Sequence, residues 1–250
     1  MEPRVTIITA TYNAVSNLRR CIESVQLQSY GRIEHVVVDG GSCDGTVELL
    51  KSYGGRITWI SEPDDGIADA FNKGIQLSRG DYINFQGADD YLWDHEVVAT
   101  VMEGVEPARD LLVCGRIKRV DQQGRVLWES SPRFKKRYLL FRMALPHQAL
   151  FTNRMFFQEY GYFDTDLRYA MDYEHLLRAK WTFPAVIMRD VFVAAWQAGG
   201  VGTDRTIEVL EEYDRIKRKN NVASPLMLAL VNSWARLKFH IKSTVIPRHG

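Results

Sequence analysis

Tyr82-Ile83-Asn84-Phe85-Gln86-Gly87-Ala88-Asp89-Asp90 is an apolar run that ends in two adjacent carboxylates. Gly80-Asp81 supplies a turn before it, so residues 82–85 predict a buried strand. A strand that ends in paired Asp delivers hard oxygen ligands to one point at a sheet edge. Such a point suits Mg²⁺ or Mn²⁺ holding a diphosphate. The plainer reading is that Asp89 and Asp90 cap the next helix, predicted over residues 94–103.

Upstream, residues 5–10 form a β-rich run that leads into Thr11-Tyr12-Asn13. Leu18, Cys21, Ile22 and Val25 follow at helical spacing. Residues 34–39 predict a second strand, ending in Asp39. Residues 40–46 turn into a helix over 47–52, and residues 57–60 predict a third strand. Strand, helix, strand, helix implies a parallel sheet with right-handed crossovers. Open sheets of this kind bind ligands at the carboxyl ends of their strands, where Thr11, Tyr12 and Asp39 lie. A carboxylate placed like Asp39 commonly accepts hydrogen bonds from a ribose or a base. The glycines match neither the dinucleotide fingerprint nor a P-loop. After the polar turn 61–66, Ile67, Ala68, Phe71, Ile75 and Leu77 mark the apolar side of another helix. Asn72 and Lys73 lie on it, and Lys73 either neutralises a diphosphate or is a solvated surface lysine.

Downstream, residues 111–120 and 125–128 predict a hairpin around Gln122-Gln123-Gly124. Residues 134–143 are basic and aromatic, suited to an anionic acceptor or lipid headgroups, or simply to solvent. His147 and Gln148 precede an apolar run. Asp172 and Glu174 open a helix whose apolar side is Leu176, Leu177 and Trp181. Either carboxylate there serves as a base or merely caps the helix. A late strand over 192–198 leads into Gly199-Gly200-Val201-Gly202-Thr203. Residues 206–221 form a charged helix. Pro225 opens a last one, with Met227, Leu230, Val231, Trp234, Leu237 and Ile241 on one face. Arg236, Lys238, His240, Lys242 and Arg248 gather near its end. This pattern fits a helix lying on anionic lipid, or one packed on protein.

The chain has 250 residues, a quarter of them charged, with a formal net charge of +1. That length fits one large α/β domain with a tail. The charge balance argues against a nucleic-acid binder. Three scattered cysteines form neither a zinc pattern nor a disulfide framework, which fits a reducing compartment. With no leader pattern and no bilayer-length apolar run, the expectation is a cytoplasmic protein whose membrane contact is peripheral.

Four blocks together resemble family-two glycosyltransferases of the GT-A fold: residues 5–13, residues 38–46, residues 62–74, and Gly87-Ala88-Asp89-Asp90. The third block resembles a bacterial subgroup that builds capsule, exopolysaccharide or O-antigen units. The resemblance implies a Rossmann-type αβα sandwich around a mostly parallel sheet over residues 1–205, with a helical tail over 206–250. It implies an inverting, metal-dependent enzyme that moves a sugar from a nucleotide-sugar to a glycan or polyprenyl-diphosphate-linked acceptor. The nucleotide-sugar is expected to be a UDP-sugar. Thr11 and Tyr12 would line the nucleotide pocket, and Asp39 would bind the base, most often uracil. Asn72 and Lys73 would lie near the donor. Asp90 would be the principal ligand of Mn²⁺ or Mg²⁺, with Asp89 on the metal, ribose or sugar. His147 and Gln148 would sit near the acceptor. Asp172 takes the position of the family's catalytic base, with Met171 where a Glu is usual, and Glu174 is the fallback. The Gly199 loop would close over the donor. Two rival readings are a non-catalytic sugar-nucleotide binding partner and a nucleotidyltransferase. The second should show a Gly-rich, basic loop after the first strand, which Thr11-Tyr12-Asn13 is not.

Overall fold

The computed structural model describes residues 2–199 and 206–245. A nine-stranded sheet runs through it in the order β3-β2-β1-β4-β8-β6-β9-β5, with β7 paired to β6. The strands β1 (Val5–Thr11), β2 (Ile33–Asp39), β3 (Thr58–Ser61) and β4 (Tyr82–Gly87) are parallel, as the alternation of strands and helices predicts. Beyond β4 the sheet becomes mixed. The strand β8 (Leu150–Asn153) is antiparallel to both β4 and β6 (Leu112–Val120). The twelve-residue β9 (Val186–Gln197) runs parallel to β6 and antiparallel to the short β5 (Tyr91–Leu92). The predicted hairpin is β6 with β7 (Val126–Glu129). Because β5 follows Asp90 directly, neither Asp89 nor Asp90 caps a helix. The next helix, α4 (Val97–Met102), starts later than the spacing predicts.

The two faces of the sheet explain the apolar runs. Successive strand residues point to opposite faces, so Ile7 and Ile8 enter different cores although both are fully buried. One core packs Ile7, Tyr82 and Phe151 under Val98 and Val101 of α4. The other packs Ile8, Ile83 and Phe85 under Phe71 and Ile75 of α3 (Ile67–Leu77). A third cluster seats Leu18 and Ile22 of α1 (Val15–Gln26) with Leu49 and Leu50 of α2 (Thr46–Ser52) on Val37. Gly74 lets α3 approach β1 closely: a β-carbon there would lie 2.4 Å from Ile8 Cγ2.

Behind the second core lie α5 (Arg154–Tyr160), α6 (Met171–Arg178) and α7 (Thr206–Lys219). Tyr173 and Leu177 of α6 and Ile216 of α7 are buried in it. The helix α7 therefore packs with the sheet layer, and α8 (Pro225–Val245) packs on α7 through buried Leu228 and Val231. Lys217, itself buried, donates to Asn232 across that contact at 2.5 Å. Gly200 to Thr203 of the glycine-rich loop, and Arg248, lie outside the described residues, as do the side chains of His240, Ile241 and Lys242.

Candidate active site

Parallel registration brings the carboxyl ends of four strands to one edge. Thr11 pairs with Asp39, Asp39 with Ser61, and Ala10 with Gly87. Two loops are stitched together above this edge. The Asn13 side chain accepts from Cys43 N at 2.9 Å, while Asn13 N donates to Ser42 Oγ at 2.7 Å. Asn13 holds a left-handed φ of 47°, which Asn tolerates better than most residues. Asp44 accepts from Val15 N and Thr46 N. The Thr46 hydroxyl, with these backbone donors, holds its carboxyl below the usual range. Tyr12 is left 65% exposed over Gly40. A β-carbon on Gly40 would meet Asp64 Oδ2 at 2.7 Å and Tyr12 Cδ2 at 3.4 Å, so glycine is what lets the three meet. Thr11 Oγ1 is buried and, among the described residues, has no hydrogen-bond partner. An orphaned hydroxyl at a strand end is a ready ligand contact.

Asp39 is fully buried. Its Oδ2 accepts from Gly41 N at 3.2 Å, Ser42 N at 2.9 Å and Ser61 Oγ at 2.6 Å, and its Oδ1 accepts from Ser42 Oγ. These bonds set the loop's shape, and a base reaching Asp39 has to displace a serine hydroxyl. Asn72 is similarly engaged: its amide clasps Phe163 through both N–H and C=O, each at 2.9 Å. That clasp anchors the Gly161–Phe163 turn to α3. Lys73 bonds Pro63 O at 2.9 Å, Glu62 at 3.0 Å and Asp69 at 3.2 Å. Burial alone would lower its pKa, but the two carboxylates outweigh that and hold its ammonium above the ordinary value. So Lys73 ties down the 62–66 turn and already has two counter-charges.

The two carboxylates after β4 converge. A β-carbon built on Gly87 would lie 3.0 Å from Asp89 Oδ1 and 3.2 Å from Asp90 Oδ2. Asp89 is partly exposed and Asp90 only 3% exposed. Asp90 Oδ1 accepts from Gln197 N at 3.1 Å. Its Oδ2 accepts from Gly87 N and from the Gln148 amide, both at 3.2 Å. Burial, with help from the Asp89 charge, still pushes Asp90 up to about 7. A buried Asp90 that resists ionising beside a second carboxylate fits a divalent cation, which would reverse that cost. Among the described residues no group of three His, Cys, Asp or Glu side chains surrounds one point. A cation here would therefore draw its remaining oxygen ligands from substrate phosphate and water, as Mg²⁺ commonly does.

Residues 147–148 join this pair to the second carboxylate. The short 3₁₀ turn His147–Ala149 precedes β8, and Gln148 O accepts from Asn84 Nδ2 and Gln86 Nε2 of β4. Gln148 thus faces Asp90, while its neighbour His147 faces Asp172. The His147 ring stacks on Phe85, centroids 5.0 Å apart, with Phe71 and Phe163 at its edges. Desolvation in that box lowers the His147 pKa, and the nearby Asp172 carboxylate partly offsets this. Asp172 lies in the first turn of α6, crowded by protein but partly exposed. Burial raises its pKa, and His147 partly offsets this. Its carboxylate accepts from its neighbour's N–H, Tyr173 at 2.7 Å, and from its own backbone N–H, and the N-cap of α6 is Ala170. Glu174, in contrast, is 1% exposed and paired with Arg178 at 2.5 Å, with Asn220 on its other oxygen. It is structural, which leaves Asp172 as the carboxylate open to the cleft.

The sequence reading passed over three contributors. Arg20 donates to Gln197 Oε1 at 2.6 Å and Asp89 O at 3.3 Å, and packs 4.3 Å over the Tyr91 ring. Gln197 holds Asp90 from the far side of the sheet. Glu212 of α7 accepts from the segment just before α6. Only Glu212 left a local signal, four residues before the buried Ile216 on one face of α7.

An α/β sheet with paired carboxylates after β4 and a third carboxylate in the first turn of α6 is compatible with a nucleotide-sugar transferase. Comparison with known proteins agrees. The glycosyl transferase family 2 model matches residues 6–163, and the chain belongs to that family. An uncharacterised glycosyltransferase of Mycobacterium tuberculosis (strain H37Rv) is 35% identical over 211 residues, covering 81% of this chain and 78% of the relative. A PGL/p-HBAD biosynthesis glycosyltransferase of Mycobacterium bovis (strain BCG) is 30% identical over 243 residues, covering 94% and 92%. The fold matches a Pyrobaculum calidifontis mannosyltransferase solved with GDP-Man and Mn²⁺, at TM-score 0.72 and 20% identity. That match covers all of this chain and 76% of the other. It also matches Staphylococcus aureus TarS residues 1–349 with UDP-GlcNAc, at TM-score 0.64 and 18% identity, covering 85% and 66%. Against full-length TarS the chain spans 39% of the other's length. The fold is thus GT-A, and the protein is a glycosyltransferase.

Proposed function

We propose that this protein is an inverting glycosyltransferase that moves a sugar from a nucleotide diphosphate to a hydroxyl of a glycan or lipid-linked acceptor. The observation that carries this reading is the pairing across residues 147–148. Gln148 bonds the buried Asp90, while His147 acts electrostatically on Asp172. One turn of chain thereby links the end that receives the leaving diphosphate to the end that activates the acceptor.

Asp90 and Asp89 are the residues that would hold Mn²⁺ or Mg²⁺. When bound, that ion supplies positive charge to the departing diphosphate. Thr11, Tyr12 and Asp39 form the nucleotide side of the cleft, with Thr11 Oγ1 free to bond it. Asn72 and Lys73 act on the donor through the loops they hold, Phe163 and Glu62–Asp69. Asp172 takes the proton from the acceptor hydroxyl as that oxygen attacks the sugar C1, from the face opposite the diphosphate. Its raised pKa makes it a stronger base than a free aspartate. UDP-sugars are the first donors to test, because the family resemblance assigns base binding to Asp39, most often of uracil, and a solved neighbour holds UDP-GlcNAc. GDP-Man is the second, on the strength of the mannosyltransferase complex.

The tail supports work at a membrane surface. Leu226, Met227, Leu230, Trp234 and Leu237 of α8 are all about half exposed or more, and α8 carries no acidic residue. Arg236 and Lys238 flank the stripe. No helix among the described residues is long and apolar enough to cross a membrane. Peripheral adhesion to an anionic leaflet on the cytoplasmic face would bring the cleft to a lipid-linked acceptor of bacterial surface polysaccharide synthesis.

Calorimetric titration of UDP and GDP, with and without Mn²⁺, on wild type and Asp90→Ala tests the donor half. Metal-dependent UDP binding that the substitution removes supports it. Binding of neither nucleotide would sink the transferase reading in favour of a partner subunit.

A further inference from the structure

Glu212 lies on α7, 40 residues beyond Asp172 and outside the span matched by the family model. Its side chain is 6% exposed. Its Oε2 accepts from Arg168 N at 3.0 Å, and its Oε1 accepts from Tyr169 N at 2.8 Å and Ala170 N at 2.7 Å. These are three successive backbone donors, and the next residue opens α6. That helix lacks a side-chain cap of its own, because Ala170 stands at its N-cap. Charge-assisted bonds to N–H groups are stronger than neutral ones, and a negative charge near a helix N-terminus also meets the helix dipole favourably. The exposed Arg215 guanidinium, 3.4 Å away, is the carboxylate's ion-pair partner.

We propose that Glu212 is a positioning residue: a carboxylate supplied by α7 that fixes the 168–170 turn, and so aims Asp172 into the cleft. Its bearing on catalysis rests on Asp172 being the base; the capping itself does not. Helix α7 is thereby part of the active site's frame. Charged and titratable groups reach Asp172 from each side. His147 faces it from the 147–149 turn, Tyr213 from α7 with Arg142 beside that phenol, and Glu212 also from α7. Of these, Glu212 is the anionic one, and its charge adds to the upward push on Asp172.

The test compares wild type with Glu212→Gln and Glu212→Asp in the full chain, without needing a known donor. Two quantities are read: amide exchange at residues 168–170, and the pH midpoint of the Asp172 carboxyl, followed by ¹³C resonance and assigned with Asp172→Asn. Glu212→Gln removes the charge and one acceptor oxygen. Exchange should speed up at least about tenfold at 168–170, and the Asp172 midpoint should fall, because a negative charge that raises it is removed. Glu212→Asp keeps the charge but shortens the reach, so exchange should rise while the midpoint stays nearer wild type. A folded Glu212→Gln protein with wild-type exchange and midpoint would overturn the proposal. If Glu212→Gln does not fold, Glu212→Asp decides, because unchanged exchange at 168–170 overturns it equally. Should Asp172→Asn keep full transfer on a donor found by the screen above, the base reading fails while these two measurements still report the cap.

Discussion

Asp172 is partly exposed and bonded by local backbone N–H groups alone among the hydrogen bonds described, whereas Glu174, two residues on, is buried with both oxygens held by side chains. That contrast makes the residue-level prediction sharp. Asp172→Asn should lower transfer by about 10²-fold or more, since an amide cannot take the acceptor's proton. UDP affinity, set at the other end of the cleft, should stay within about twofold; a loss of both together would mean that Asp172 binds donor instead. A second prediction concerns buried histidines away from the site. His35 and His175 are pushed down to about 3, chiefly by burial. The unfolded chain takes up these protons near pH 6.5 and the folded chain does not. Stability is therefore full above 6.5 and falls as pH drops toward 3, by up to about 1.4 kcal/mol per pH unit for each histidine. Urea unfolding at pH 7 and pH 5 should show this loss. A His175→Gln chain should show a shallower decline between the two, and an identical slope would remove His175 from the account. The carboxylates themselves were legible in the sequence, because an Asp-Asp after a strand and an Asp opening a helix are local patterns. What Asn72 and Lys73 touch was not. Phe163 is 91 residues from Asn72, and no local spacing reveals that its backbone fills the amide.

At the scale of elements, the close approach of α3 to β1 depends on Gly74. Gly74→Ala puts a methyl 2.4 Å from Ile8 Cγ2, on a β-branched side chain that is fully buried in the core. The overpacking should cost about 1–3 kcal/mol despite alanine's better helix propensity. Thermal melting should report this as a fall of several degrees; an unchanged or higher midpoint would mean that α3 slides without cost. The helices α3, α6 and α7 share one core. This packing explains why the site draws on residues from 11 to 212. The four parallel strands and their helices were readable from alternating apolar runs. The antiparallel β8 and the parallel return of β9 were not, since pairing partners beyond β4 are chosen by tertiary packing.

For the whole molecule, α8 presents two unlike sides. Its inner side seals on α7 through Leu228, Val231 and the Lys217–Asn232 bond. Its outer side leaves Leu226, Leu230 and Trp234 in water, with Lys238 5.0 Å over the Trp234 ring. Binding to vesicles containing anionic lipid should therefore fall at least about fivefold in a Leu230→Asp, Trp234→Asp double variant. Equal sedimentation of both proteins would point to a protein partner for that stripe. The sequence by itself determined the sheet's first four strands, the carboxylates at 89–90 and 172, and the family resemblance, because these are written in local periodicity and short motifs. Only the tertiary structure decided that Gln148 bonds Asp90, that His147 faces Asp172, that Asn72 and Lys73 hold loops, and that Glu212 caps α6. Those are choices among partners tens of residues apart, made by which side chains the packed cores bring within hydrogen-bond reach.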